Sequence, residues 1–177
     1  LTPSEGVSVQ INAYNFPVWG MLEKLSTSLL AGVPSIVKPA TPGSYLTNAV
    51  FQDMIESGIL PEGAIQLVCG EPGNILDYVQ DGDSVLFTGS ASTGKKLKSL
   101  PQISSNAVRF NMEADSLNCS ILGRDAKPGT PEFDLFIKEV RTEMTTKAGQ
   151  KCTAIRRIIV PEDFVGDVQN ALSKALD

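Results

Sequence analysis

The sequence predicts an α/β fold: a doubly wound, mostly parallel sheet followed by the start of a second α/β domain. Three observations predict it. Short apolar strand patterns alternate with amphipathic helical patterns on brief connections, which calls for right-handed crossovers and a parallel sheet covered on both faces. Glycine and proline punctuate most changes of pattern. Hydrophobic residues make up 42% of the 177 residues, enough for a chain of this length to bury a core.

Val7, Val9 and Ile11 alternate with polar neighbours as a strand does, and residues 12–17 break the pattern. A helix over 18–31 follows, with Met21, Leu22, Leu25, Leu29 and Leu30 on one face and Gly32 placed to end it. Residues 34–38 read as a short buried strand and 39–42 as a turn. Leu46, Val50, Met54 and Ile55 then mark a second helix that stops at Ser57-Gly58. Strands are expected over 64–68 and 84–88, with a short helix over 74–79 between them. A helix runs from Ser90 to about Leu100, 107–112 and 117–122 are strand-like, and 131–146 is helical with Phe133, Phe136, Ile137 and Val140 inward. A further strand begins at Ala154. The last helix carries Phe164, Val168, Ala171, Leu172, Ala175 and Leu176 at helical spacing, an apolar face that needs cover, so the chain reads as a fragment. The domains are expected at 1–148 and 149–177.

Composition removes whole classes of function. A net charge of −5 and a pI near 4.8 exclude a nucleic-acid surface, which needs clustered positive charge. No apolar run approaches the roughly 18 residues of a membrane span and no leader opens the chain, so the expectation is a cytoplasmic protein without a membrane partner. With no histidine, a Ser-His-Asp triad, a Cys-His pair and an H-E-x-x-H zinc site are all impossible within these residues. Cys69, Cys119 and Cys152 are too far apart for a C-x-x-C metal pattern and odd in number, which suits a reducing compartment. No metal site is expected.

The stretch Lys147-Ala148-Gly149-Gln150-Lys151-Cys152 puts a thiol on a short loop between a helix and a strand. Lys147, Lys151, Arg156 and Arg157 surround it in sequence with positive charge, which favours the thiolate that attacks carbonyls. A buried cysteine serving as a small apolar residue fits the loop as well. In a doubly wound sheet ligands lie outside the carboxyl ends of the strands, and the loops after Ile11, Val37, Val68 and Thr88 share that rim. The turn Phe87-Thr88-Gly89-Ser90 opens a helix whose free N–H groups suit a phosphate. It also has P-loop spacing from Gly89 to Lys95, but Lys96 stands where magnesium needs a serine or threonine. Lys38 ends a strand on the same rim. Asn15 is a possible oxyanion donor as well as a turn former, and Glu113 a possible base as well as an exposed turn carboxylate.

Taken together, Asn15-Phe16-Pro17, Lys24, Lys38-Pro39-Ala40, Phe87-Thr88-Gly89-Ser90, Glu113 and Gly149-Gln150-Lys151-Cys152 resemble the aldehyde dehydrogenase superfamily over nearly the whole chain. The segments Glu113–Cys119 and Met144–Arg157 are most similar to its branch in phenylacetate degradation. The resemblance implies that Cys152 attacks an aldehyde, that the Asn15 amide and the Cys152 N–H hold the oxyanion, and that Glu113 activates water. Lys24 would lie near the reaction centre. Thr88, Gly89 and Ser90 would meet the cofactor pyrophosphate and Lys38 its adenosine ribose. Thr41 stands where relatives that use NAD often carry a glutamate, so NADP is expected over NAD. The branch implies a semialdehyde linked to coenzyme A as substrate, and the superfamily implies a homo-oligomer. Ala114-Asp115 departs from the Leu-Gly common in the family. The competing readings are a P-loop nucleotide module and a non-catalytic dinucleotide-binding domain.

Overall fold

The computed structural model describes residues 2–177. It forms two compact units, one ending at Ala114 and one running from Asp115 to Asp177.

In the first unit, β1 (Ser8–Ile11), β2 (Ser35–Lys38), β3 (Ile65–Leu67), β4 (Ser84–Gly89) and β5 (Arg109–Ala114) form one sheet in the order β3-β2-β1-β4-β5. Every pairing is parallel. The expectation of a mostly parallel, doubly wound sheet is met. Helices α1 (Trp19–Leu30) and α2 (Ser44–Glu56) cover one face, where Met21, Leu25, Val37, Phe51 and Ile65 form a core cluster. Helices α3 (Ala91–Lys98) and α4 (Pro101–Ser105) lie on the other, with Val9, Leu76, Val79, Val85 and Ile103 packed together. The helix expected from Ser90 to about Leu100 is α3, and the separate short helix α4 follows it. Leu100 precedes Pro101, and the proline ring forces it out of the helical region to φ −60°, ψ 136°.

The interior of the central strand is partly polar. Gln10, fully buried, donates from Nε2 to the hydroxyls of Ser8 (3.4 Å), Ser28 (3.2 Å) and Ser35 (3.2 Å), tying β1 to α1 and β2. Strand order reverses between β1 and β4, so the loops after Ile11 and Gly89 flank the topological switch point.

The second unit holds β6 (Cys119–Ile121), α5 (Pro131–Thr145), β7 (Arg157–Ile159) and α6 (Val165–Leu176). Its two strands pair in parallel, with Cys119 opposite Arg157. The α5 N-cap Thr130 accepts the Phe133 N–H at 3.4 Å, and Pro131 fills the first helical position. Leu122, Phe133, Ile137, Val140, Val168 and Leu172 make the core. Val168 and Leu172 of the last helix are buried with residues of α5, which supplies part of the cover that the sequence calls for, while Leu176 stays exposed.

The units part at Ala114–Asp115, whereas the sequence reading divided the chain at 148/149. The reason is packing: β6 pairs with β7 and α5 packs on α6, which binds residues 115–148 to those that follow. Asp115 itself is left-handed at φ 57°, a conformation most often supplied by glycine. Aspartate is among the few other residues that adopt it readily.

Candidate active site

The first unit brings most of the candidate residues to the carboxyl rim of its sheet. Asn15 lies half-buried in the turn after β1. That turn is braced: Phe16 packs edge-on against Trp19 with ring centroids 5.4 Å apart, and the Thr47 hydroxyl donates to the Pro17 carbonyl at 3.1 Å. Lys38 ends β2, is buried, and donates from Nζ to the Pro39 carbonyl at 2.7 Å. Thr41 begins a 3₁₀ turn beyond it and is exposed.

At the end of β4, Thr88 stands opposite Glu113 of β5, and its hydroxyl donates to Oε2 of Glu113 at 3.5 Å. Ser90 caps α3: its Oγ accepts the Thr93 N–H at 3.3 Å. Gly89 and Gly94 are close-packed positions. A Cβ at Gly89 would lie 2.6 Å from the Phe87 ring, and one at Gly94 would run into the Met112 sulfur. Gly94 is inside the helix, packed on the sheet, so residues 91–95 do not wrap a phosphate as a P-loop does. The spacing from Gly89 to Lys95 is a helix start, and the P-loop reading is withdrawn.

Lys24 on α1 is half-buried and donates from Nζ to the Gly20 carbonyl at 3.4 Å. Burial lowers its pKa below the ordinary 10.5, while the charges of Glu23 and Glu113 act in the opposite direction. A lysine whose folded-state pKa is depressed loses stability in its charged form, and that cost fades as pH climbs toward the unfolded value. Lys24→Met is therefore expected to raise stability at pH 7 by less than about 1 kcal/mol, because solvent screens a half-exposed group. The gain should shrink as pH approaches 10.5 in thermal melts; a gain that grows with pH would contradict the assignment.

In the second unit, Cys152 is exposed, which removes the buried-cysteine reading. Cys69 and Cys119 are exposed too, so exposure alone does not single it out. Its loop does. After α5, Lys147 (φ 55°), Ala148 (φ 55°) and Gly149 (φ 72°) are all left-handed, and the Gln150 N–H closes the turn on the Lys147 carbonyl at 3.0 Å. A left-handed non-glycine residue costs roughly 1–2 kcal/mol, so this turn holds strain that its surroundings must offset.

Lys151, Arg156 and Arg157, assigned to the thiol from the sequence, are engaged elsewhere. Lys151 pairs with Glu143 at 2.7 Å, the Arg156 guanidinium donates to the Gly149 carbonyl at 2.8 Å, and Arg157 donates to the Leu117 carbonyl from Nε (3.1 Å) and Nη2 (2.6 Å). They brace the loop. The sequence reading also missed Asn118, whose side-chain amide donates to the carbonyls of Cys152 and Ala154. No local pattern signals a contact between residues 34 apart.

Donors of the kind that hold a dinucleotide lie on this rim: the Lys38 ammonium at the end of β2 and the positive end of α3, which Ser90 caps. Among the described residues no cluster of His, Cys, Asp or Glu is arranged to hold a metal ion, and no helix is long and apolar enough to cross a membrane.

A model of the aldehyde dehydrogenase family matches residues 2–177. The chain is 52% identical over 176 residues to a 3,4-dehydroadipyl-CoA semialdehyde dehydrogenase of Aromatoleum evansii, covering 99% of this chain and 34% of the relative. It is 30% identical over 165 residues to a betaine aldehyde dehydrogenase of Bacillus subtilis, covering 92% and 32%. A crystal structure of betaine aldehyde dehydrogenase from Staphylococcus aureus in complex with NAD+ superposes with a TM-score of 0.83 at 27% identity, covering 96% of this chain and 33% of that one. The chain thus spans about a third of the length of the relatives it matches. On this fold and this match across its described length, the chain belongs to the aldehyde dehydrogenase family.

Proposed function

We propose that these residues are the nucleophile-bearing and cofactor-holding part of an enzyme that oxidises a coenzyme A-linked semialdehyde to its acid with NADP. The observation that carries the chemistry is the Cys152 thiol, exposed on a loop that is fixed on both sides of it. The Cys152 thiolate attacks the aldehyde carbon, a C–S bond forms, and the carbonyl oxygen becomes an alkoxide. The Asn15 side-chain amide and the Cys152 N–H donate to that oxygen. A nicotinamide, when bound, supplies the hydride acceptor that turns the adduct into a thioester. Glu113 takes a proton from water, the water attacks the thioester carbon, the C–S bond breaks, and the acid leaves as the thiol is regained.

Lys38, Ser90, Gly89 and Thr88 are the groups proposed to hold the cofactor, with Lys38 toward the adenosine ribose and Ser90 toward the pyrophosphate. Thr41 is the basis for NADP: a carboxylate there would repel a 2′-phosphate, while an exposed hydroxyl does not. The substrate class is supported by the relative from Aromatoleum evansii, whose substrate is a coenzyme A-linked semialdehyde. Titration of the full-length protein with both cofactors tests the reading. NADP is expected to bind at least about tenfold more tightly than NAD, a difference of about 1.4 kcal/mol. A clear preference for NAD would overturn the cofactor assignment, and turnover of simple aldehydes but not the coenzyme A-linked one would overturn the substrate.

A further inference from the structure

We propose that Asn118 is the positioning residue of the nucleophile, the clamp that fixes the backbone of Cys152 from its C-terminal side; this rests on Cys152 being the nucleophile. The residue stands just before β6, with Cys119 paired to Arg157 in the neighbouring strand. Its side-chain amide has two hydrogens, and both are used: one reaches the Cys152 carbonyl, the other the Ala154 carbonyl at 3.3 Å. Its own backbone carbonyl accepts the N–H groups of Arg156 at 2.9 Å and Arg157 at 3.1 Å. One residue thus ties the chain from 152 to 157 at four points.

The geometric consequence falls on the thiol. A held carbonyl at Cys152 fixes the plane of the peptide that follows it, and with it the ψ torsion of Cys152. On the other side, the Lys151–Glu143 pair at 2.7 Å and the Arg156 guanidinium on the Gly149 carbonyl at 2.8 Å hold the approach to φ. With ψ held and the residues before Cys152 anchored, the direction in which the Cα–Cβ bond presents the sulfur is restricted. So is the direction of the Cys152 N–H, the proposed oxyanion donor. Asparagine is the residue type this needs, because two acceptors on one side of a loop call for a short side chain with two donors. Serine has one donor, aspartate has none, and leucine fills similar space without any.

Removing the donor leaves the Cys152 carbonyl to water, strips the carbonyl of the buried Ala154 of this bond, and frees ψ of Cys152. The thiol remains, but its aim is lost, and a misplacement of about 1 Å at a reacting atom costs on the order of 100-fold in rate. A small alkylating reagent that approaches from any direction does not depend on that aim. Turnover and alkylation should therefore separate.

The test uses the full-length protein and three variants, Asn118→Leu, Asn118→Gln and Cys152→Ala. For Asn118→Leu we expect kcat to fall about 10- to 100-fold. The KM for aldehyde and the affinity for cofactor should stay close to wild type, and the melting temperature should fall by no more than a few degrees, the effect of the lost hydrogen bonds. Alkylation of Cys152 by iodoacetamide, followed by mass spectrometry across pH, should stay within about twofold of wild type with an unshifted profile. Asn118→Gln, which keeps an amide on a longer stem, should recover part of the lost kcat. The proposal is overturned if Asn118→Leu keeps kcat within about threefold of wild type, or if cofactor affinity and melting temperature fall in step with kcat, which marks a general folding role. Should the leucine variant not fold, the glutamine variant decides alone: a reduced kcat at unchanged KM supports the clamp, and wild-type kcat refutes it. If Cys152→Ala keeps its turnover, the nucleophile assignment has failed and the clamp with it, an outcome distinct from failure of Asn118 alone.

Discussion

The Cys152→Ala variant of the full-length protein is expected to lose aldehyde oxidation by about 10⁴-fold or more while binding NADP within about twofold of wild type. The size of the loss follows from the role. Without the sulfur the proposed covalent adduct does not form, so neither the proposed oxyanion donors nor the proposed base has an intermediate to act on, and residues that act as a unit fail together. The sparing of cofactor affinity follows from the separation of parts: Lys38, Thr88 and Ser90 lie in the unit that ends at Ala114, and Cys152 lies in the other. Single-turnover assays and calorimetric cofactor binding on the same preparation check both halves. Turnover above about 1% of wild type would remove Cys152 from the mechanism, and loss of cofactor binding would show that the thiol loop shapes the first unit as well.

Much of the first unit was legible because its signals are local. Val7, Val9 and Ile11 alternate, Met21 and Leu25 repeat at helical spacing, and Gly32 and Gly58 mark helix ends; each signal is read within a turn or two of chain. The carboxyl rim followed from alternation of strands and helices, which places Asn15, Lys38, Ser90 and Glu113 at or just beyond the carboxyl ends of strands before any pairing is known. What failed were features decided by distant contacts. Gly94 has the same spacing in a P-loop and in a helix pressed against a sheet, and the Met112 sulfur and Phe87 ring beneath it decide for the helix. The boundary at Ala114–Asp115 depends on β6 pairing with β7, which nothing within either segment announces. The basic residues near Cys152 were read as a field on the thiol because they are neighbours in sequence. In space Lys151 meets Glu143, and Arg156 and Arg157 meet backbone carbonyls.

That same bracing makes Gly149 the most sensitive backbone position in the thiol loop. Gly149→Ala is expected to destabilise the second unit by about 2–4 kcal/mol, the sum of two independent effects. At φ 72° an L side chain is strained, which costs roughly 1–2 kcal/mol. The added Cβ would also lie 2.8 Å from the Met144 carbonyl oxygen, a backbone atom of the last turn of α5 that cannot swing aside as a flexible side chain does. Relief would require the turn to open, which lengthens the bond from the Arg156 guanidinium to the Gly149 carbonyl and frees the approach to Cys152. Ala148→Gly provides the control, since it removes a left-handed non-glycine residue from the same turn and should stabilise by up to about 1 kcal/mol. Hydrogen exchange resolved by peptide separates the units: protection should fall in 115–177 and hold in 2–114 for Gly149→Ala. If both glycine and alanine at 149 gave equal protection, the left-handed turn would not be what sets the thiol loop, and the strain assigned to it would have to be abandoned.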